Sequence, residues 1–297
     1  MLKINGLCKR FGNKEVLCGL TLHVPRNSIF GFIGRNGAGK TTTMKAVLGL
    51  LKADGGEILV DGERVSYGET PTNRKIGYLP DVPEFYPFMT AREYLALCAD
   101  ITGTDKREAA GRADELLELV GLSSEKHRIG GYSRGMKQRL GIAQALFSRP
   151  KLLICDEPTS ALDPVGRKEI LDILSAASSQ TTVLFSTHIL SDVERICTDV
   201  AFLNDGKVAL EGKLGDIKAS YSTDEYEIET ESTDGARVLL ERFARLRPEG
   251  GRLLAFKDGD VALYEILRFV SEMAIPVLRI ERREPSLEAV FMEAVEK

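Results

Sequence analysis

Ser28-Ile-Phe-Gly-Phe-Ile-Gly34-Arg-Asn-Gly37-Ala-Gly39-Lys40-Thr41 decides how this 297-residue chain is read. Its first seven residues, Ser28 to Gly34, are a short apolar run that predicts a buried strand. Beyond the glycines, Met44, Val47, Leu48 and Leu51 fall at i, i+3, i+4 and i+7, so a helix is expected to follow directly. The turn between them fits G-x-x-x-x-G-K-[ST] in the strand-to-helix setting that motif requires. Glycines there let backbone N–H groups curl around phosphate oxygens, and the helix N-terminus adds the positive end of its dipole. Lys40 is placed to reach the β- and γ-phosphates, and the Thr41 hydroxyl to ligate Mg²⁺.

Working outward, apolar runs near 75–79, 151–155, 181–186 and 199–204 alternate with helical patterns, as in α/β folds with a mostly parallel sheet. Ligands of such sheets sit outside the carboxyl ends of the strands. Leu152-Leu-Ile-Cys155 runs into Asp156-Glu157 at such an end. Asp156 is expected to hold the metal, through water, and Glu157 to orient and deprotonate the attacking water. Between 90 and 147 the period is helical: Thr90-Ala-Arg-Glu93 is a capping-box pattern, and Met136, Leu140, Ala143 and Phe147 form an apolar stripe.

Composition bounds the alternatives. AVILMFWYC residues make up 43% and charged residues 28%, which excludes a disordered, collagen-like or disulfide-stapled chain. The formal charge of −4 gives no basic field for nucleic acid, so no nucleic-acid partner is expected. Residues 221–297 hold 11 Lys/Arg against 17 Asp/Glu. The five cysteines stand singly along the sequence, without metal-ligand spacing, which reads as a reducing, cytoplasmic compartment. No apolar run approaches the ~18 residues of a membrane span, and the N-terminus carries no signal-peptide core. After Gly212 the sequence turns polar, and we place a boundary near 220 with a small α+β domain, 221–297, beyond it.

With these pieces in order, residues 2–220 resemble the ATP-binding subunit of an ABC transporter. The resemblance implies a P-loop NTPase of the ABC ATPase type over 1–220. Its parts are a mostly parallel core sheet, an antiparallel N-terminal β part and a helical signature subdomain at about 85–150. It implies ATP and Mg²⁺ as ligands. Asn36, Gly37, Ala38, Gly39, Lys40, Thr41 and Thr42 then surround the phosphates. Phe11 in KRFGNKEVL matches the aromatic that stacks on adenine, with Val16 beside it. Tyr132-Ser-Arg-Gly-Met136 matches the signature motif, so Ser133 and Gly135 are expected to meet phosphate. Ser160-Ala-Leu-Asp163 resembles the loop at the dimer interface, and His188 the switch histidine on the γ-phosphate.

The chain departs from the family pattern at three places. Asp81 stands in IGYLPDVPEF where glutamine is usual, and is expected to ligate Mg²⁺ or its water; YSRGM replaces LSGGQ; phenylalanine replaces tyrosine at 11.

In the family, phosphate loop and signature helix clasp one nucleotide from different protomers, which implies a two-fold dimer, with a homodimer expected. It also implies a separate transmembrane permease that seats a short helix near Val82-Pro-Glu-Phe-Tyr-Pro-Phe-Met89 and holds the soluble chain on the inner face of the membrane. The ending Glu284-Pro-Ser-Leu-Glu-Ala-Val-Phe-Met292 resembles ATPases that serve export permeases for drugs, lipids or polysaccharides. The alternative is a soluble ABC-type ATPase acting on ribosomes or chromosomes. Such proteins generally carry two ATPase halves or a long coiled coil between phosphate loop and signature, and Lys40 and Ser133 here are joined by a segment without sustained heptads. A P-loop kinase leaves YSRGM, SALD and His188 unexplained.

Overall fold

The computed structural model describes residues 1–221, 225–257, 261–283 and 286–296. Glu284 and Pro285 of the export-type ending lie outside the described residues. The chain divides into two compact units, one built on Met1–Leu214 and one on Gly215–Glu293.

The first runs β1 (Leu2–Phe11), β2 (Lys14–Val24), β3 (Ile29–Gly34), α1 (Lys40–Val47), β4 (Gly55–Val60), β5 (Glu63–Arg64), β6 (Ile76–Leu79), α2 (Ala91–Thr102), α3 (Lys106–Leu119), α4 (Arg134–Leu146), β7 (Leu152–Asp156), α5 (Pro164–Ala177), β8 (Thr182–Thr187), α6 (Leu190–Ile196), β9 (Asp199–Asn204) and β10 (Lys207–Lys213). Its main sheet has the order β10-β9-β3-β8-β7-β6 and is parallel except for β10. The central strands β3, β7 and β8 are buried along their whole length, as their unbroken apolar runs require when helices cover both faces.

A second, antiparallel sheet has the order β2-β1-β4-β5. Along β2, buried Leu20, Leu22 and Val24 alternate with exposed Gly19, Thr21 and His23, the period of a half-buried strand. One core joins both sheets: Ile4 and Leu22 from the antiparallel sheet pack with Phe32 and Ile154 from the parallel one, and Met44 and Val47 of α1 share it. α1 is shorter than its periodicity predicts. Gly49, at φ 71, reverses the chain while Leu50 N bonds Lys45 O and Gly49 N bonds Ala46 O, a Schellman stop that leaves Leu51 outside the helix.

The helical segment starts where expected. Thr90 and Glu93 form a reciprocal capping box at α2, Asp105 caps α3 and Ser133 caps α4. On α4, Leu140 and Ala143 are buried against β6 and the neighbouring helices, with Phe147 just past the helix end.

The second unit continues from α7 (Leu214–Ser220) through β11 (Glu225–Thr230), α8 (Thr233–Arg242), β12 (Arg247–Gly250), β13 (Leu253–Lys257), α9 (Leu263–Glu272), β14 (Val277–Arg282) and α10 (Leu287–Glu296). Its antiparallel sheet has the order β12-β13-β11-β14. Ile228, Leu254 and Phe256 pack with Leu239 of α8 and Ile266 of α9. On the other face Glu225, Glu227 and Glu229 meet Arg279 and Arg283 across the strands.

Candidate nucleotide site

The loop between β3 and α1 is shaped by glycines, at two of which a Cβ would press on a neighbouring strand. A Cβ on Gly34 would stand 2.8 Å from Leu203 O, and one on Gly39 2.8 Å from Leu17 Cδ2 and 3.2 Å from Val16 O. Gly37 and Gly39 also sit at φ 85 and 111, where side chains are strained. β9 and β2 therefore press on the loop from two sides. α1 then begins without a side-chain cap and without an acid in its first turn, so its N-terminal N–H groups keep their positive field for an outside anion. Thr43 turns back to donate to Gly39 O at 2.9 Å. Asn36 and Thr41 are exposed, and Ala38 and Thr42 half-buried.

Lys40 is buried and folds back over its own loop, donating to Gly34 O at 2.7 Å. Its ammonium lies 3.0 Å from Glu157 Oε1, a buried oxygen with no aligned donor. Glu157 itself follows the end of β7 at φ 48, a strained conformation for a residue with a side chain. Ser186, paired with Asp156 across the parallel strands, holds the turn: its hydroxyl donates to Asp156 Oδ1 at 2.6 Å and accepts from Glu157 N at 3.0 Å. The other Glu157 oxygen is 2.9 Å from His188 Nδ1. Phosphate loop, Asp156, Glu157 and His188 thus converge at the carboxyl ends of β3, β7 and β8. Ser186 is a site residue that motif reading passes over; its signal is a buried hydroxyl closing an apolar strand two residues before the histidine.

Burial and then the Asp156 charge push the Cys155 thiol well up, so it stays neutral inside the strand. Burial, then Asp156, Cys155 and Asp81, push the Tyr78 phenol up to about 12.

At the tip of the β1–β2 hairpin, Phe11 is 49% exposed under the Lys9 ammonium, 5.4 Å from the ring centre, so it is a presented ring and not a core residue. Val16, on the return strand, packs toward Gly39. Ser133 and Gly135 stand at the start of α4, where Ser133 Oγ accepts from Met136 N at 3.2 Å. Asp81 is engaged by Ser160 and by the first turns of α4. Ser160 Oγ donates to its Oδ1 at 2.9 Å, Arg134 reaches the same oxygen at 3.4 Å, and Gln138 holds its carbonyl at 2.7 Å. Two departures from the family pattern, Asp81 and Arg134, meet each other.

Among the described residues no three His, Cys, Asp or Glu side chains converge as a metal cage. A hydroxyl at Thr41 and a carboxylate at Asp156 are what Mg²⁺ needs when phosphate oxygens and water complete its shell.

The "ABC transporter" family model matches residues 17–160, and "ATP-binding protein DrrA1-3-like, C-terminal domain" matches residues 212–295. The uncharacterized ABC transporter ATP-binding protein YxlF of Bacillus subtilis is 38% identical over 99% of both chains. The bacitracin transport ATP-binding protein BcrA of Bacillus licheniformis is 36% identical over 99% of this chain and 97% of its own. Among solved structures, an ATP-binding subunit of an ABC transporter superposes with TM-score 0.66 at 33% identity, over 74% of this chain and 93% of that one. The cassette MJ0796, a dimer in a post-hydrolysis state with ADP and Pi, gives 0.65 at 26%, over 72% and 99%. The chain belongs to the ABC transporter ATP-binding proteins. It is an ATPase with the P-loop NTPase fold of that family, whose members work with a membrane permease.

Proposed function

We propose that this chain hydrolyses ATP to drive a separate permease that exports a drug-like, lipid or polysaccharide substrate. The carrying observation is Lys40 3.0 Å from Glu157, which in turn lies 2.9 Å from His188, beside an uncapped helix start. The bacitracin transport ATP-binding proteins of B. licheniformis and Enterococcus faecalis, 36% and 32% identical, support drug export.

Phe11 stacks on the adenine, with Val16 beside it. Loop N–H groups from Asn36 to Thr42 hold the phosphates, and Lys40 leaves Gly34 O for the β- and γ-oxygens. Thr41 and Asp156 would hold Mg²⁺, and Asp81 would join them once freed from Ser160. When bound, Mg²⁺ neutralises charge on the β- and γ-oxygens. Glu157 takes a proton from the attacking water as the water oxygen bonds to the γ-phosphorus and the bond to the ADP oxygen breaks. His188 contacts the γ-phosphate. Ser133 and Gly135 of a second copy close the other side of the nucleotide, so cleavage loosens the pair. Val82, Tyr86 and Phe88, all exposed, offer a ringed apolar surface beside α2 to a short permease helix.

No helix of the described residues is long and apolar enough to cross a membrane. We place the chain on the inner membrane face through its permease, with 1–220 as the ATPase domain and 221–297 as the appended one. The test is isolation from membranes: recovery with a multi-span subunit is expected, and recovery with ribosomes favours the soluble alternative.

A further inference from the structure

Asp192 lies in the first turn of α6, four residues after His188, and its carboxylate is buried. Both of its oxygens are used. Oδ2 accepts from Thr159 Oγ1 at 2.7 Å, and Oδ1 from Arg167 Nη2 at 2.6 Å. Thr159 is buried too, two residues past Glu157, in a loop that holds φ 48 at Glu157 and φ 54 at Ala161. Arg167 comes from α5, whose start at Asp163 ends the same loop. The 157–163 loop and the 188–192 segment are therefore joined twice. The outer joint, Glu157 to His188, is half open to solvent on the histidine side. The inner joint is buried at Thr159 and Asp192, with Arg167 half-buried at its edge.

We propose that Asp192 is a positioning residue for hydrolysis: its clamp on Thr159 sets where Glu157 faces His188. This inference rests on the roles given to Glu157 and His188 above. Two positive-φ residues leave the loop strained, and a strained loop keeps one shape only while its surroundings over-determine it. A buried hydroxyl and a buried carboxylate that satisfy each other do this, because separating them leaves both without partners. Asp192 reaches neither the phosphate loop nor the water position; it acts through the loop.

The test uses the full chain with Asp192→Asn, Thr159→Val, Thr159→Ser and both of the first two combined, beside Glu157→Gln. The asparagine keeps the volume but only one acceptor oxygen; valine keeps the threonine shape without its hydroxyl. Asp192→Asn and Thr159→Val are expected to lower kcat about tenfold or more, a cost of the kind a misplacement of ~1 Å brings, with KM for Mg-ATP within about twofold. Thr159→Ser restores the hydroxyl and is expected to restore the rate, and the combined variant to be no slower than the slower single one. A merely structural clamp lowers the melting temperature while kcat per folded molecule stays at the parent value; that result, or serine failing to rescue, overturns the proposal. Should Asp192→Asn not fold, the Thr159 pair decides alone. Full activity in both Asp192→Asn and Thr159→Val with Glu157→Gln inactive sinks the clamp only. Full activity in Glu157→Gln sinks the proposed hydrolysis reading and the clamp with it.

Discussion

Lys40 Nζ stands 3.0 Å from Glu157 Oε1, so the lysine proposed to bind phosphate and the carboxylate proposed to activate water neutralise each other. The same ammonium donates to Gly34 O, while Glu157 Oε1 has no aligned donor. On the proposed reading, phosphate competes for the lysine and separates the pair. Binding and chemistry are thereby divided between two residues that different variants can tell apart.

Lys40→Ala is expected to weaken Mg-ATP binding by about tenfold to a hundredfold, the range of a charge-assisted hydrogen bond. A fluorescent-nucleotide titration measures it, and unchanged affinity would overturn the phosphate-loop assignment.

Glu157→Gln should bind Mg-ATP within about threefold of the parent while turnover drops by ~100-fold or more, since the base is lost and the metal ligand Asp156 stays. Phosphate release under saturating ATP decides; undiminished release removes Glu157 from its role.

Alanine at Gly39 meets Leu17 and the Val16 carbonyl on top of a φ of 111, whereas alanine at Gly37 meets open space at φ 85. Gly39→Ala should therefore cost roughly 2–4 kcal/mol of stability, and Gly37→Ala about 1–2 kcal/mol. Denaturant unfolding ranks the two, and equal costs would contradict the packing of β2 on the loop.

Asp61 is buried among Lys151 at 2.7 Å, Lys75 at 3.2 Å and Arg26. Hydrogen bonds from Lys151 and then Lys75 hold its carboxyl down to about 2, against 3.8 ordinarily. A carboxylate lowered in the folded state stabilises fully above its unfolded pKa, and that contribution is lost as pH falls through its folded value. Unfolding free energy should thus decline between about pH 4 and pH 2, and Asp61→Asn should flatten that decline; an unaltered slope would show that the cluster contributes nothing.

Replacing Tyr86 and Phe88 by glutamate should leave the ATPase rate of the isolated chain within about twofold and abolish co-purification with a multi-span subunit, because both rings are exposed and distant in sequence from the phosphate loop. Retained co-purification would move the docking surface elsewhere.

What the sequence disclosed followed its local patterns. The strand, glycine turn and helix around Lys40, the acid pair at the end of β7 and the capping box at Thr90 are contained within short windows, and each stands where its spacing placed it. α1 ends about one turn before its apolar period does, because Gly49 outweighs a pattern that runs on to Leu51. Long-range partners were not legible. Ser186 bonding Asp156, Asp192 bonding Thr159 and Arg134 meeting Asp81 join residues 30 to 53 positions apart, and polar pairs leave no periodic trace in either segment. Asp81 is an example: nothing in IGYLPDVPEF announces that Ser160 donates to its carboxylate.

The most direct measurement is sedimentation of Glu157→Gln with Mg-ATP and, separately, with ADP. Two copies per particle with ATP and one with ADP are predicted, and Ser133→Arg in the same background should hold the ATP-loaded chain at one copy. A chain saturated with ATP that still sediments singly, or a pair indifferent to Ser133, would contradict the account.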